Sequence, residues 1–232
     1  GELEQVAALT HNNRKPVVRL VTRSGRSVSA TQNHPFRVLN ERGHIVWRQA
    51  GRIATGDVLV SALFGATEAA CGDGISEDEA VFLGYLVAEG TLGESNKHAV
   101  RFTNWDPEVA AEWSALATSL FGAKVKNYDG KEHVVHDTAL RRRLADEYGL
   151  AFVNAPEKSV PHAIRTAGAK AQCAFLSALF EGDGWIDKTS TIGLGTASRV
   201  LAEQGQRLRY GLGVPATMQT SFNKVYERDY YS

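Results

Sequence analysis

Two acidic residues in matching settings are the positions of this sequence best suited to chemistry. Glu89 stands near the end of the apolar segment 82–90, Asp183 stands near the end of the apolar segment 176–184, and a glycine follows each acid directly. Two carboxylates held close together repel each other unless a cation lies between them. Hard oxygen ligands with open coordination positions suit Mg²⁺, which also accepts phosphate oxygens as ligands. Such a metal can activate water and stabilise the leaving oxygen of a phosphodiester.

Both segments also carry small residues at helical spacing, and these would bring the two acids together. The small residues are Gly84 and Ala88 in the first segment, and Ala178 and Gly182 in the second. Residues four positions apart share one helix face, and small residues on one face let two helix backbones approach closely. The glycine after each acid allows a sharp turn into the next element. The alternative is two ordinary core helices that each end in a solvated acid, but an acid at that end opposes the helix dipole.

The elements around the two acids repeat in the same order, which predicts a duplicated α+β domain. Ser76 and Glu79 match a helix capping box. The first copy is predicted as helix 77–89, strand 98–104, helix 106–121, strands 124–128 and 133–136, and helix 138–148. The second copy is predicted as helix 169–181, strand 189–194, helix 198–212, strand 216–222 and a strand from 225 onward. Residues 16–60 differ, because turn residues separate short β-rich runs there. They predict two hairpins, 16–22 with 26–31 and 36–39 with 44–47, and a strand 58–63, which together form a small all-β unit.

The two acidic segments resemble the paired motifs of the LAGLIDADG, or dodecapeptide, homing endonucleases. The resemblance implies pseudo-two-fold, αββαββα-like repeats whose final acids, Glu89 and Asp183, bind catalytic Mg²⁺ or Mn²⁺. Glutamate replaces aspartate in the first copy. Lys158 and Pro161 form a Lys-x-x-Pro pattern that resembles the intervening block of the family. By that resemblance Lys158 lies near the active site, where it polarises water or neutralises phosphate charge; the alternative is a surface lysine before a proline turn.

The family saddles DNA with the sheet of each half, so the outward strand positions are candidates for DNA contact. Alternation along the strands turns His98, Val100 and Phe102 toward the helices. The candidates in the first half are Lys97, Arg101, Thr103, Lys124, Lys126 and Tyr128, and those in the second half are Thr217, Gln219 and Ser221. Polar and basic side chains on strands can reach phosphates and base edges in the major groove. Each of them could equally be a solvated surface residue.

A second resemblance lies in the β-rich region. Thr31 and His34, with Pro-Phe after the histidine and Gly56-Asp57 further on, resemble the second conserved block of intein splicing domains of the Hint fold. The resemblance implies that His34 polarises a scissile peptide bond and that Thr31 supports it. Splicing also requires a Cys, Ser or Thr nucleophile at the first residue and a terminal His-Asn pair. This sequence starts with Gly1 and ends with Ser232, so splicing is not expected from it as it stands.

Together these patterns divide the chain into part of a Hint-type splicing domain, residues 1–65, and a LAGLIDADG endonuclease, residues 75–232. The endonuclease repeats are expected at about 75–150 and 165–232. The expected function is intein-encoded, Mg²⁺-dependent, site-specific double-strand cleavage of DNA at a long asymmetric target, by a monomer that in the precursor is joined to a host protein. The alternatives are a splicing element whose LAGLIDADG domain only binds DNA, and an unrelated two-carboxylate hydrolase such as a glycosidase.

Composition limits the class of protein. The 26 basic residues balance the 26 acidic ones, which argues against a protein that simply coats DNA. The apolar runs are far too short to cross a bilayer. The two cysteines form no disulfide framework, so a cytoplasmic protein is expected, associated with the nucleoid when bound to DNA.

Overall fold

The chain divides into two units, Gly1–Phe64 and Gly65–Ser232. The computed structural model describes residues 13–61, 74–92, 98–223 and 227–232. Within these ranges, strands and helices are mixed, as the sequence predicts. None of the described helices is long and apolar enough to span a membrane.

Short antiparallel strands build the first unit. β1 (Val17–Val21) pairs with β2 (Ser27–Thr31), while β3 (Pro35–Leu39) lies between β4 (Ile45–Gln49) and β5 (Val58–Leu59). Gly25 and Gly43 have φ of 83° and 77°, a backbone conformation that favours glycine in the two hairpin turns. Both predicted hairpins are therefore confirmed. The predicted strand 58–63 is shorter than expected, since β5 ends at Leu59.

The second unit begins with the first copy of the repeat. α1 (Glu77–Glu89) has the predicted capping box, in which the Ser76 hydroxyl accepts from the Glu79 N–H and Glu79 accepts from the Ser76 N–H. The elements that follow are β6 (Gly90–Thr91), β7 (Val100–Thr103), α2 (Pro107–Phe121), β8 (Val125–Tyr128), β9 (Glu132–Val135) and α3 (Thr138–Asp146). The four strands form one antiparallel sheet in the order β6-β7-β9-β8. The helices and this sheet enclose a core in which the Trp113 ring stacks on Phe82 and Phe102, at 5.4 and 5.0 Å between centroids.

The second copy repeats the order of the first. Its elements are α5 (Ala169–Asp183), β10 (Gly184–Ile186), β11 (Ile192–Leu194), α6 (Arg199–Gly211), β12 (Thr220–Asn223) and β13 (Arg228–Tyr231). A 3₁₀ turn (Ala155–Glu157) and a short helix, α4 (His162–Thr166), join the two copies; the sequence patterns had not predicted this helix. The strands form two separate pairs, β10–β11 and β12–β13, which are linked by a bridge between Thr196 and Tyr231.

The two copies differ in their cores. Counted from the N-caps of α2 and α6, which are Asp106 and Ser198, the position of Trp113 corresponds to Gly205. A Cβ added to Gly205 would meet no atom within 4 Å. Gly205 lines a cavity of about 770 Å³ bordered by α5, α6 and β11. The second copy therefore lacks the large aromatic centre that fills the first.

The start of β12 corrects one sequence prediction. Residues 216–222 were expected to form a strand, but β12 begins only at Thr220. Gly213 has φ of 80°, and Pro215 has no N–H to donate to a strand ladder. Together they delay the strand. The outward positions Thr217, Gln219 and Ser221 imply that Phe222 faces inward on the predicted strand, but its side chain is 62% exposed.

Candidate functional site

α1 and α5 pack against each other at the small residues that the sequence singled out. A Cβ on Gly84 would lie 2.5 Å from the Phe175 carbonyl oxygen and 2.8 Å from the Ala178 Cβ. A Cβ on Gly182 would lie 2.5 Å from the Ala88 Cβ. Because equivalent positions of the two segments meet at both points, the helices run in the same direction about a local two-fold axis. The predicted close approach is confirmed.

This packing brings the C-terminal ends of the two helices together. A Cβ on Gly182 would lie only 3.3 Å from the Cγ of Glu89, so Glu89 lies directly beside the last turn of α5, which carries Asp183. Gly90 and Gly184 have ordinary negative φ of −73° and −81°. They are glycines because a Cβ at either position would lie within 2.3 Å of the carbonyl oxygen four residues earlier.

The two acids occupy an environment that disfavours their charged forms. Burial, and then the neighbouring Glu89 carboxylate, raise the pKa of Asp183 to about 6, although Lys158 opposes this shift. Burial also raises the pKa of Glu89, again against the effect of Lys158. Within the part of the chain that the structure describes, neither carboxylate accepts a hydrogen bond. Their oxygens therefore remain available to an external cation.

Lys158 belongs to the same site. Its Nζ donates hydrogen bonds of 2.7 and 2.8 Å to the carbonyl oxygens of Val87 and Ala88, in the last turn of α1. A cation is favourable there because it interacts with the negative end of the helix dipole. Burial lowers the pKa of Lys158, while the carboxylates of Asp183 and Glu89 raise it. The alternative of a solvated surface lysine is therefore wrong.

A buried clamp holds the segment that carries Lys158, and sequence reasoning missed it. The Ser198 hydroxyl is fully buried and donates to the Lys158 carbonyl oxygen at 2.6 Å. The same oxygen atom of Ser198 caps α6 by accepting from the Leu201 N–H. Two residues after the lysine, the Val160 N–H donates to the side-chain oxygen of Gln204 at 2.7 Å. The N-cap role of Ser198 could be predicted from the sequence, but its partner across the chain could not.

The donor set at the helix ends fits a hard divalent cation. Glu89 and Asp183 supply carboxylate oxygens, which Mg²⁺ prefers. The described ranges contain no group of three or more His, Cys, Asp or Glu side chains that could hold a metal ion. A cation held between these two acids would thus complete its coordination with water or phosphate oxygens, as Mg²⁺ commonly does.

One face of the four-stranded sheet collects the predicted outward residues of the first copy. Arg101, Val134 and Lys126 lie opposite one another on β7, β9 and β8. Thr103, Glu132 and Tyr128 form the next row of the same face. Val100 and Phe102 are fully buried on the other face, as alternation predicted.

Other candidates in the first copy lie outside these strands. Lys124 is exposed just before β8. Lys97 lies outside the described residues. His98 was expected to face the helices, but it is exposed ahead of β7, because the regular alternation of the strand starts only at Val100.

The candidates of the second copy are placed less regularly. Ser221 is exposed within β12, opposite Tyr230. Thr217 and Gln219 are exposed, and they alternate with the less exposed Ala216 and Met218 as predicted. Both precede β12, so only their predicted place on a strand is wrong. Gln219 nevertheless exchanges backbone hydrogen bonds of 2.6 and 3.0 Å with Ser232.

In the first unit, Thr31 and His34 share a tight turn. The His34 N–H donates to the Thr31 carbonyl oxygen at 2.9 Å, and the His34 carbonyl oxygen accepts from the Ala50 N–H at 2.8 Å. The exposed imidazole packs edge-on against Phe36, at 5.1 Å between ring centroids. The backbone thus fixes the turn while the ring remains open to solvent.

Comparison with known proteins finds relatives that match most of this chain. The chain is 29% identical over 223 residues to the Replication factor C small subunit of Methanocaldococcus jannaschii, which covers 93% of this chain and 12% of that protein. It is 32% identical over 226 residues to the Replicative DNA helicase DnaB of Rhodothermus marinus, covering 89% of this chain and 23% of that protein. The chain therefore spans less than a quarter of either relative's length.

A solved structure and a family also match. The homing endonuclease I-DmoI, in a crystal structure in complex with DNA and Mn, aligns with a TM-score of 0.46 and 18% identity, over 67% of this chain and 88% of that chain. Residues 170–232 match the family described as LAGLIDADG-like domain. This match includes α5 with Asp183 and every later element.

Proposed function

We propose that residues 75–232 are an intein-encoded homing endonuclease, which makes site-specific double-strand cuts in DNA with Mg²⁺ or Mn²⁺. The proposal rests on the pair of carboxylates, Glu89 and Asp183, at the C-terminal ends of the closely packed helices α1 and α5. Such a pair, with oxygens available to a cation, suits a metal that also takes phosphate oxygens as ligands. When bound, the metal supplies an activated water and stabilises the leaving oxygen.

The residues of the chain have distinct roles in this proposal. Glu89 and Asp183 hold the metal, and the packing of Gly84 and Gly182 sets the spacing between them. Lys158 keeps its ammonium group beside both acids, where it neutralises negative charge that develops on the phosphate during cleavage. Because the group is already fixed by two carbonyl oxygens, little reorganisation is needed when the reaction occurs.

The outer face of the sheet is the proposed DNA-binding surface of the first half. Arg101 and Thr103 on β7, and Lys126 and Tyr128 on β8, project from this face on either side of β9. Polar and basic side chains on strands can reach phosphates and base edges in the major groove. Lys97, Lys124, Thr217, Gln219 and Ser221 remain further candidates for contact with double-stranded DNA. The surface would read a long asymmetric site because the two copies present different side chains.

The intein part of the proposal is supported by the relatives. A replication factor and a helicase share the same segment with this chain, and the segment makes up a small part of each. A segment shared by proteins of different names is typical of an inserted element. The first unit, residues 1–65, is accordingly proposed as part of a Hint-type splicing domain. Its His34 would polarise the scissile peptide bond, and Thr31 would support it.

The cleavage proposal predicts that Glu89→Gln and Asp183→Asn each reduce cleavage at least a hundredfold while DNA binding persists, because each removes one metal ligand. Supercoiled plasmid carrying the uninterrupted insertion site of the host gene is incubated with and without Mg²⁺, and linear product is measured. Glu181→Gln is the matched control, since it removes the same charge from an exposed position on α5. Equal cleavage by the parent and the two ligand variants would exclude the metal assignment.

A second candidate function is a splicing element whose LAGLIDADG domain binds DNA without cutting it. The same experiment separates the two, since that protein would shift the plasmid fragment in a gel but release no linear product. The two half-buried, adjacent carboxylates favour cleavage, because a surface that only binds DNA gains nothing from two adjacent negative charges.

A further inference from the structure

An ion pair lies in the middle of the sheet face that we propose to contact DNA. The Arg101 Nη1 donates to the Glu132 Oε1 at 2.5 Å, and both side chains are about one-third exposed. Arg101 lies opposite Val134 and Glu132 lies opposite Thr103, so the pair is a diagonal contact between β7 and β9. The most basic candidate of this face is therefore not free.

A carboxylate is unfavourable on a surface that only holds the DNA backbone. Nonspecific affinity comes from cations that neutralise phosphates, and Glu132 removes Arg101 from that role while repelling phosphates itself. None of the neighbouring residues of the face is acidic; they are Thr91, Thr103, Lys126, Tyr128 and Val134. Glu132 thus lowers general affinity, and selectivity is the property that such a residue can increase.

Arg101 is also incompletely satisfied in its present position. Its Nε–H is buried and has no hydrogen-bond partner within the described residues. A buried donor without a partner costs free energy, and a rearrangement that gives this donor an acceptor is correspondingly favoured. The Arg101 guanidinium is therefore held by its ion pair with Glu132, and it would gain a hydrogen bond in an arrangement that gives its Nε–H an acceptor.

Base edges in the major groove provide that exchange. Arginine donates two parallel hydrogen bonds to O6 and N7 of guanine, and glutamate accepts from N4 of cytosine. Arg101 and Glu132 together carry the complement of one G·C pair, or of neighbouring G and C bases. A phosphate offers nothing to the carboxylate, whereas G·C edges can satisfy both partners of the pair.

We propose that Glu132 is a specificity-determining residue, which keeps Arg101 from binding phosphates and releases it only to guanine, while its own carboxylate accepts from cytosine. This inference rests on the proposed DNA-binding function. In contact with other sequences, the ion pair stays closed and contributes no affinity.

The test compares the full chain with its Glu132→Gln variant in binding to duplex DNA, in buffer with EDTA so that no cleavage occurs. Binding to a random-sequence duplex is measured against salt, and bound members of the pool are sequenced. Glu132→Gln should bind the random pool several-fold more tightly. Its plot of log K against log salt should steepen by about one, because Arg101 then contacts a phosphate. The recovered site should lose a G·C preference that the parent shows.

Glu147→Gln is the matched control, because Glu147 forms a 2.8 Å ion pair with Arg143 next to the end of α3 rather than on the sheet. It should leave the salt slope and the recovered site unchanged. A Glu132→Gln variant with the parent's slope and site would overturn the inference while leaving the proposed function intact. A parent chain that binds no duplex would overturn both.

Discussion

At the scale of single residues, the site depends on groups that act through others. Ser198 touches neither of the two acids, yet its hydroxyl fixes the carbonyl of Lys158. The lysine side chain in turn fixes the end of α1. Glu89 is therefore held by a chain of contacts that starts in α6, and the chemistry of the site depends on both halves of the duplicated unit.

Ser198→Ala should slow Mg²⁺-dependent DNA cleavage about tenfold, because the Lys158 backbone loses the hydrogen bond that fixes it. A tenfold slowing corresponds to an increase of about 1.4 kcal/mol in the activation free energy. Ser198→Thr keeps both the donor and the cap and should cleave like the parent. The variants are compared by single-turnover cleavage well below their unfolding temperatures.

Loss of the helix cap alone must be separated from loss of the clamp. Asp106→Ala removes the N-cap of α2, the equivalent helix of the first copy, where the cap accepts from the Glu108 N–H. Either cap deletion should cost about 1 kcal/mol of stability, but only Ser198→Ala should slow cleavage. Equal slowing by the two variants would assign the effect to helix stability and remove the positioning role of Ser198.

At the scale of elements, replacing a glycine by alanine should have opposite effects on stability in α1 and α6. Propensity alone predicts that alanine in place of a mid-helix glycine stabilises by about 1 kcal/mol. Gly205→Ala should follow this rule, because its new methyl group would enter open space. Gly84→Ala should instead destabilise by about 1–3 kcal/mol, because its methyl group would meet the Phe175 carbonyl oxygen at 2.5 Å.

Urea unfolding followed by circular dichroism checks the sign of each effect. Gly84→Ala should also slow cleavage, since forcing the helices apart separates Glu89 from Asp183. A Gly84→Ala variant that is as stable as the parent or more stable would mean that α1 and α5 do not depend on contact at Gly84.

Local signals predicted the elements well, and distant pairings were missed. The capping box at Ser76 marks the start of α1, and helical periodicity predicts a helix over 106–121; both α1 and α2 lie where expected. The ion pair of Arg101 with Glu132 and the hydrogen bond from Ser198 to Lys158 were not predicted. They depend on strand register and on how segments far apart in sequence pack, which periodicity does not encode.

The close approach of the two acids is a long-range contact that the sequence did predict. Small residues at i and i+4 appear in both copies, so the same spacing on each helix predicts that the two helices pack closely against each other. No comparable repeat marks the strands of the second copy, where Gly213 and Pro215 precede the alternating residues and β12 starts only at Thr220.

At the scale of the whole molecule, the duplicated unit holds its own core. The hydrophobic cluster of buried residues in the described ranges extends from Ala80 to Leu208 and includes no residue of the first unit. The buried residues of the first unit, Val38 and Ala50, lie outside that cluster. The second unit therefore has a hydrophobic core of its own.

A chain restricted to residues 74–232 should accordingly fold alone. Its unfolding temperature should lie within about 4 °C of that of the corresponding transition in the full chain, which corresponds to a change of about 1 kcal/mol. Calorimetry measures the transition, and plasmid cleavage with Mg²⁺ measures function, which should persist because Glu89, Lys158 and Asp183 are all retained. Folding without cleavage would show that the first unit takes part in DNA recognition, and failure to fold would show that it completes the core.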